Sequence, residues 1–81
     1  MENNTVRDII AYIVENLVEF PDQVEINELE NDETVTYQLK VAPSDMGKVI
    51  GRQGRIAKEI RVLAKAAGQR EHKKVMVDIL D

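Results

Sequence analysis

Cysteine is absent from this 81-residue chain, and proline, glycine and aromatic residues are scarce. Without cysteine there are no disulfide bonds and no thiolate ligands for a metal, and the composition fits a reducing compartment such as the cytoplasm. Apolar runs stay far below the ~20 residues of a membrane span, and residues 1–4 lack the positive charge and apolar segment of an export signal. We therefore expect one small cytoplasmic domain over residues 1–81, with no membrane span.

The aromatic residues are Tyr12, Phe20 and Tyr37, all in the first half of the chain. Proteins that bind single-stranded RNA on an open sheet stack the bases on several aromatic side chains. Because no aromatic residue accompanies the basic segment of this chain, that mode of binding is not indicated. We expect the aromatic side chains to pack in the core or on the surface.

Positive charge is scarce in the first half of the chain. The formal net charge is −4, which by itself argues against nucleic-acid binding. Residues 1–39, however, hold ten acids and one base, Arg7, whereas residues 40–81 hold ten bases and five acids. The second half can therefore bind an anion, although a solvated basic face balanced by an acidic one is the alternative interpretation.

Apolar residues recur at spacings of three and four between residues 6 and 18, which predicts an amphipathic helix. Asn4 or Thr5 can cap its N-terminus, and Phe20-Pro21 should end it. The residues of the apolar stripe are Val6, Ile9, Ile10, Ile13, Val14, Leu17 and Val18.

Three segments have the pattern of strands. Residues 24–29 predict a short strand, and Asn31-Asp32 supplies turn residues after it. Residues 34–41 alternate between polar and apolar, which predicts a second strand with one buried face. Residues 75–80 predict a terminal strand. The inward residues of the second strand are Val35, Tyr37, Leu39 and Val41.

Two helices are predicted on either side of a glycine loop in the second half. Ser44 should cap the first of them, which is about two turns long and ends at Gly51, with Met46, Val49 and Ile50 facing inward. The second should run from Arg55 to Ala67, followed by Gly68 as a left-handed C-terminal cap. Its predicted inward residues are Ile56, Ile60, Leu63, Ala64 and Ala67.

The predicted order is helix, strand, strand, helix, helix, strand. The first two strands can form an antiparallel hairpin, whereas the helical pair before the third strand suits a right-handed crossover between parallel strands. All the helices would then pack on one face of a three-stranded mixed sheet. The predicted fold class is α+β, in two layers.

The glycine loop carries the strongest functional signal. Residues 50–55 read Ile-Gly-Arg-Gln-Gly-Arg. Glycine can adopt positive φ and lets a phosphodiester backbone approach the main chain. The loop leads into a helix N-terminus, where free N–H groups and the helix dipole favour an anion, and basic side chains surround it. The pattern favours a nucleic-acid backbone as ligand. Aspartate at Gly51 or Gly54 is expected to block this path without unfolding the domain.

This Gly-x-x-Gly loop between two helices, flanked by strands and preceded by a further helix and strand, resembles a type II KH domain from Thr5 to Leu80. The segment from Ala42 to Arg55 and the short length are similar to the small bacterial KhpA RNA-binding proteins. The resemblance implies the α-β-β-α-α-β order of such domains. It also implies that the loop backbone clamps about four nucleotides of single-stranded RNA.

The resemblance assigns roles to individual residues of the loop. Gly51 and Gly54 match the fixed ends of the KH loop, and Arg52 and Gln53 occupy its free positions. Arg52 can contact a phosphate, and Gln53 can donate or accept a hydrogen bond.

Residues around the loop complete the predicted site. Ile50 and Ile56 would line the apolar floor of the RNA groove, although core packing explains them equally well. Arg61 and Lys65 are expected to be solvated charges. The remaining candidates for contacts to the RNA backbone are Lys48, Arg55 and Lys58.

The turn between the first two strands is acidic. In type II KH domains this turn forms the opposite lip of the groove, so the resemblance implies repulsion of phosphates and weak, salt-sensitive binding. The acidic residues of this turn are Glu28, Glu30, Asp32 and Glu33.

The resemblance also implies protein partners. Small KH proteins of this kind form homodimers and associate with a larger multidomain KH protein of the KhpB or Jag family, in RNA metabolism and control of the cell envelope or cell shape. An assembly module with little RNA affinity of its own therefore remains an alternative. The opposite charges of the two halves also allow salt-sensitive head-to-tail contact between chains.

Catalysis and cofactors find little support in the sequence. His72 lies among charged residues and has no nucleophile or base pattern around it, so we expect an exposed loop residue. The acids do not accompany histidine or cysteine ligands, and the glycine loop lacks the Gly-Lys-Ser/Thr of a P-loop. We predict a binding protein that is not an enzyme and needs no metal or cofactor.

Overall fold

A computed structural model describes residues 6–69 and 72–80. Within them the elements follow the predicted order α-β-β-α-α-β, which is confirmed. Short 3₁₀ turns lie at Pro21–Gln23, Pro43–Asp45 and Arg52–Gly54. The helices and strands are α1 (Val6–Glu15), β1 (Glu25–Glu30), β2 (Thr34–Lys40), α2 (Met46–Ile50), α3 (Arg55–Gln69) and β3 (Lys74–Ile79).

The sheet is mixed, with strand order β1-β2-β3. β1 pairs antiparallel with β2, and β2 pairs parallel with β3. The hairpin between β1 and β2 is closed at Asn31, whose side-chain Oδ1 accepts hydrogen bonds from the backbone N–H groups of Glu33 and Thr34. The predicted turn at this position is therefore confirmed, since an asparagine side chain can replace a backbone acceptor.

The core lies between the helices and one face of the sheet. Alternate residues of β2 are buried, as the period of two predicts, and Tyr37 among them is only 4% exposed. The predicted two-layer α+β fold is confirmed. The buried hydrophobic cluster consists of Val6, Ile10, Val14, Ile26, Val35, Tyr37, Leu39, Val41, Val49, Ile60, Ala64, Val75 and Val77.

Helix α1 is shorter than its apolar pattern predicts. It ends at Glu15, and Leu17 and Val18 lie in the turn after it, where both backbone N–H groups donate to the carbonyl of Val14. Val18 still packs against the core, which explains why the apolar spacing continues beyond the helix. The predicted caps at Asn4 and Thr5 lie outside the described residues.

The predicted cap of α2 is wrong. Ser44 is exposed within the 3₁₀ turn Pro43–Asp45, and α2 starts only at Met46. Asp45 precedes α2 but makes no side-chain hydrogen bond to that helix. Its carboxylate is committed elsewhere in the fold.

The predicted inward face of the helical pair is partly wrong. Ile50 is 38% exposed and Leu63 47% exposed. The predicted residues Ile60 and Ala64 are buried, and the other buried residues of α3 are Ala57 and Gly68. Small residues dominate this face, because they let the helix axis approach the sheet closely.

Gly68 illustrates this close approach. The prediction that it forms a left-handed cap is wrong, since Gly68 lies inside α3 and is buried. A Cβ atom added to Gly68 would lie 2.1 Å from Cγ2 of Val75, far inside van der Waals contact. Glycine is therefore needed here for space, so that α3 can pack on β3.

Candidate functional site

The glycine loop joins α2 to α3 with three residues at positive φ. Gly51 has φ 78° and ψ 178°, Gln53 has φ 58° and ψ 25°, and Gly54 has φ 74°. The N–H of Gly51 donates to the carbonyl of Gly47 at 2.9 Å, and that of Gly54 to the carbonyl of Gly51 at 3.3 Å. Helix α2 thus ends at Ile50, residues 51–54 form the turn, and α3 begins directly after it at Arg55.

The two glycines of the loop are required for different reasons. A Cβ atom on Gly51 would lie 2.6 Å from Cγ1 of Ile56, so both positive φ and space require glycine there. A Cβ atom on Gly54 would have no neighbour within 4 Å, and only its φ favours glycine. The expectation that aspartate at Gly51 leaves the fold undisturbed is therefore wrong.

The surface around the loop is open and basic. The exposed residues Arg52, Gln53 and Arg55 line a shallow depression of about 430 Å³. Lys58 is also exposed, one turn further along α3. These side chains surround the N-terminus of α3, where the helix dipole is positive and the N–H groups are free. Together these groups favour the binding of an anion.

The two isoleucines that flank the loop differ in exposure. Ile50 is 38% exposed beside Gly51, so its side chain is accessible to a ligand. Ile56 is half-buried and packs against the core, while its side chain also touches the position where Gly51 lacks a Cβ. Ile56 therefore supports the loop from beneath, and Ile50 is the apolar side chain at the surface.

The sequence of this chain is similar to those of known proteins. A family model described as the KH domain of KhpA and KhpB matches residues 7–79. The chain belongs to this KH-domain family. RNA-binding protein KhpA of Clostridium perfringens is 49% identical to it over 74 residues, which cover 91% of this chain and 99% of the relative.

Other bacteria contain similar chains. RNA-binding protein KhpA of Caldanaerobacter subterraneus is 51% identical over 73 residues, covering 90% of this chain and 97% of the relative. That of Chlamydia caviae is 41% identical over 75 residues, covering 93% and 96%. These relatives are named for RNA binding and not for an enzyme activity, in agreement with the prediction that the chain is not an enzyme.

Lys48 of this KH domain is less available than the sequence suggests. Its Nζ lies 3.6 Å from Oδ1 of Asp45 and 3.7 Å from Oε1 of Glu19, and its side chain is 46% exposed. The ammonium group therefore already has two carboxylate partners. Of the predicted basic contacts, Lys48 has to share its charge, whereas no ion pair is found for Arg52, Arg55 or Lys58 among the described residues.

Asp45 is a residue whose role the sequence reasoning missed. Its side chain is fully buried, and its two carboxylate oxygens accept hydrogen bonds from the backbone N–H groups of Glu19 and Phe20, each at 3.0 Å. The carboxylate therefore fastens the turn after α1 to the start of α2. An acid beside a predicted helix start was the only signal, and its partners lie 25 and 26 residues away.

The pKa of Asp45 reflects these contacts. Burial by itself raises the pKa of this carboxyl, but the two backbone N–H groups and the nearby Lys48 outweigh burial and hold the pKa below the usual 3.8. A lowered pKa in the folded state means that the ionised carboxylate stabilises the fold above the unfolded pKa. That stabilisation is lost as the pH falls through the folded pKa.

Asp45→Asn should therefore reduce stability at neutral pH, because both backbone N–H groups lose a charged acceptor and one of them meets an amide donor instead. The difference in unfolding free energy between the native chain and the variant should shrink as the pH falls below about 3.8, the usual aspartate value. Urea unfolding at several pH values measures it. Ser44→Ala is the matched control, with a change within about 0.5 kcal/mol at every pH. A pH-independent difference for Asp45→Asn would contradict the assignment.

The acidic hairpin does not face the glycine loop as the resemblance implied. The backbone N–H of Lys74, the first residue of β3, donates to the carbonyl of Glu33 at 3.1 Å, and Lys73 forms an ion pair with Glu30. Parallel pairing of β2 and β3 puts the hairpin beside the start of β3, and therefore beside the C-terminal end of α3. The 15 residues of α3 separate that end from the loop by about 22 Å. The expected repulsion at the loop is thus largely removed.

The remaining predicted residues occupy various places. His72 is exposed, as expected, and has φ 60°. Arg61 differs from the expectation of a solvated charge, because its Nε donates to the carbonyl of Val77 at 3.2 Å. Within the described residues, no group of three or more histidine, cysteine or acidic side chains is placed to hold a metal, and no helix is long and apolar enough to cross a membrane.

Proposed function

We propose that this chain binds single-stranded RNA in the cytoplasm by holding the phosphodiester backbone against Gly51-Arg52-Gln53-Gly54 and the first turn of α3. The loop geometry carries the proposal, because two glycines at positive φ present a side-chain-free backbone directly before the N-terminus of a long helix. The names of the relatives give independent support.

Each residue of the site has a distinct role in this proposal. Arg52, Arg55 and Lys58 contact phosphates, since they are exposed and lie around the positive end of α3. Gln53 bonds to a phosphate or base edge, and Ile50 contacts a base or sugar with its exposed apolar surface. Lys48 binds a phosphate only where the phosphate replaces Glu19 or Asp45 as its partner. Ile56 supports Gly51.

We propose further that the chain assembles, either with itself or with a larger multidomain KH protein of the KhpB or Jag type, in RNA metabolism and control of the cell envelope. The observation in favour is a depression of about 390 Å³ on α1, lined by Asp8, Ile9, Tyr12 and Ile13. Tyr12 is 72% exposed there, and tyrosine is enriched at protein interfaces.

Arg52→Ala tests the RNA proposal directly. The affinity for a labelled pool of single-stranded RNA, measured by fluorescence anisotropy at several salt concentrations, should fall steeply with salt for the native chain. The variant should lower the slope of log K against log salt by about 0.7, the value for one phosphate contact on a single strand. Arg7→Ala on α1 removes the same charge away from the loop and should leave the slope unchanged.

Sedimentation velocity on the same samples separates the two functions. RNA binding with a native slope in Arg52→Ala would remove this residue from the site. A native chain that self-associates but shows no salt-dependent RNA binding would favour the assembly module over the RNA-binding protein.

A further inference from the structure

The basic side of α3 continues well beyond the glycine loop. Lys58, Arg61 and Lys65 recur at spacings of three and four residues, so they lie on one side of the helix. The buried residues of α3 that pack on the sheet are Ala57, Ile60, Ala64 and Gly68. The chain therefore presents a row of positive charge that begins at the loop and runs along α3.

Arg61 shows where this side of α3 lies. Its Nε donates to the carbonyl of Val77 in β3, and β3 is an edge strand of the sheet. The basic side of α3 thus follows the free edge of β3. Because Arg61 occupies the Val77 carbonyl, the pairing of a further strand is blocked at this point.

Three lysines meet at the far end of this row. Lys65 and Gln69 of α3, together with Lys73, Lys74 and Val75, line a depression of about 190 Å³. The close packing of Gly68 on Val75 brings the helix and the strand together here. We call Lys65, Lys73 and Lys74 the distal lysine cluster.

Among residues 6–69 and 72–80, the charge of the distal lysine cluster is only partly compensated. Lys73 pairs with Glu30, and the backbone N–H of Lys74 donates to the backbone carbonyl of Glu33. Lys65 and Lys74 are exposed, and neither has an ion pair within residues 6–69 and 72–80. The acidic β1–β2 hairpin lies beside the start of β3 and Glu30 pairs with Lys73, so Lys65 and Lys74 carry the uncompensated charge of the cluster.

We propose that the distal lysine cluster is a second phosphate site, which binds the RNA strand after it leaves the glycine loop. This inference rests on the proposed RNA-binding function. Lys65 lies ten residues after Arg55, about 15 Å along the axis of α3. A loop clamp holds about four nucleotides, which span about 14 Å at the stacked spacing of 3.4 Å each. The cluster therefore meets the fifth and later nucleotides.

Oligonucleotide length tests this assignment. Lys65→Gln with Lys74→Gln removes two positive charges, and Arg7→Glu makes the same change of net charge on α1. Binding is measured by anisotropy with labelled oligouridines of about four and about 12 nucleotides, at salt concentrations from about 50 to 200 mM. The native chain should bind the longer RNA more tightly, with the larger salt slope.

The lysine variant should weaken binding of the longer RNA by about fivefold to tenfold and lower its salt slope by about 1.4, for two phosphate contacts. Its binding of the shorter RNA should change by less than about twofold, and Arg7→Glu should leave the difference between the two RNAs intact. Lys65→Arg with Lys74→Arg keeps the charge and should retain native binding of the longer RNA.

Two other results would overturn the proposal in distinguishable ways. If the lysine variant binds both RNAs as tightly as the native chain does, the distal site is refuted while the loop clamp stands. If the native chain binds neither RNA, the proposed function itself fails. If the lysines had only a structural role, the variant would have a lower melting temperature, and any loss of binding would be the same for the shorter and the longer RNA.

Discussion

A chain with aspartate at both Arg52 and Gln53 is expected to lose RNA binding and to keep its fold. Both side chains are exposed, so their replacement leaves the core and the two glycines untouched. The double change turns a positive loop into a negative one where the phosphates would lie. We expect the Kd for single-stranded RNA to rise at least about tenfold, or about 1.4 kcal/mol.

The choice of these two positions follows from the loop geometry. Gln53 has φ 58°, a left-handed conformation that aspartate adopts more readily than most residues. Aspartate at Gly51 would instead collide with Ile56, so its effect on RNA binding would mix charge with strain. The unfolding free energy of the double variant should stay within about 0.5 kcal/mol of the native value.

Anisotropy titration with circular dichroism as a check of folding measures this outcome. Arg52→Lys with Gln53→Asn is the matched control, because it keeps the charge and the polarity of the loop, and its binding should remain within a few fold. Native affinity in the aspartate variant would show that RNA, if bound, does not lie against the loop.

Gly68→Ala should destabilise the protein, although alanine is the better helix former. Helix propensity alone would add about 1 kcal/mol of stability. The new methyl group, however, would lie 2.1 Å from Cγ2 of Val75 in a buried contact between α3 and β3. Overpacking of this kind costs about 1–3 kcal/mol. Because Val75 is β-branched and buried, it cannot easily rotate away, and we expect a net loss of about 1–2 kcal/mol.

Two further variants make this prediction specific. Gly47→Ala lies in α2, where an added Cβ would have no neighbour within 4 Å, and should stabilise the protein by up to about 1 kcal/mol. In a double-mutant cycle, Gly68→Ala with Val75→Ala should be less destabilised than the sum of the single changes, by about 0.5 kcal/mol or more. Thermal and urea unfolding provide the data. Strict additivity would show that the Val75 contact is not the cause.

The wrong prediction of a cap at Gly68 shows what helical periodicity alone does not determine. A glycine after an apolar helical stripe predicts a C-terminal cap, because helices commonly end with a residue in the left-handed conformation, which glycine adopts without strain. α3 instead continues to Gln69, since its contact with β3 stabilises the last turn. The same contact selects the small face with Ala57 and Ala64 and leaves Leu63 half-exposed. Helical periodicity identifies a stripe, but the neighbouring element decides which residues of that stripe are buried.

The errors at Ser44 and at the acidic hairpin have the same origin. Sequence rules for caps concern residues within one helix turn, whereas the carboxylate of Asp45 is bound by backbone groups 25 and 26 residues away. The position of the hairpin relative to the loop depends on which end of the sheet each strand start occupies. Neither relation has a local signature in the sequence.

The sequence by itself determined the order of the elements, the two-layer α+β class, the glycine loop and the resemblance to KH domains. These follow from periodicity, turn residues and a short motif, all of which are local and set by backbone geometry. Only the tertiary structure decided that Lys48 pairs with both Asp45 and Glu19, and that Gly51 and Gly68 lie where a Cβ atom would collide with a neighbour. It also decided that the acids of the β1–β2 hairpin lie beside the C-terminal end of α3. These are relations between distant residues, fixed by packing, and packing becomes visible only when the chain is folded.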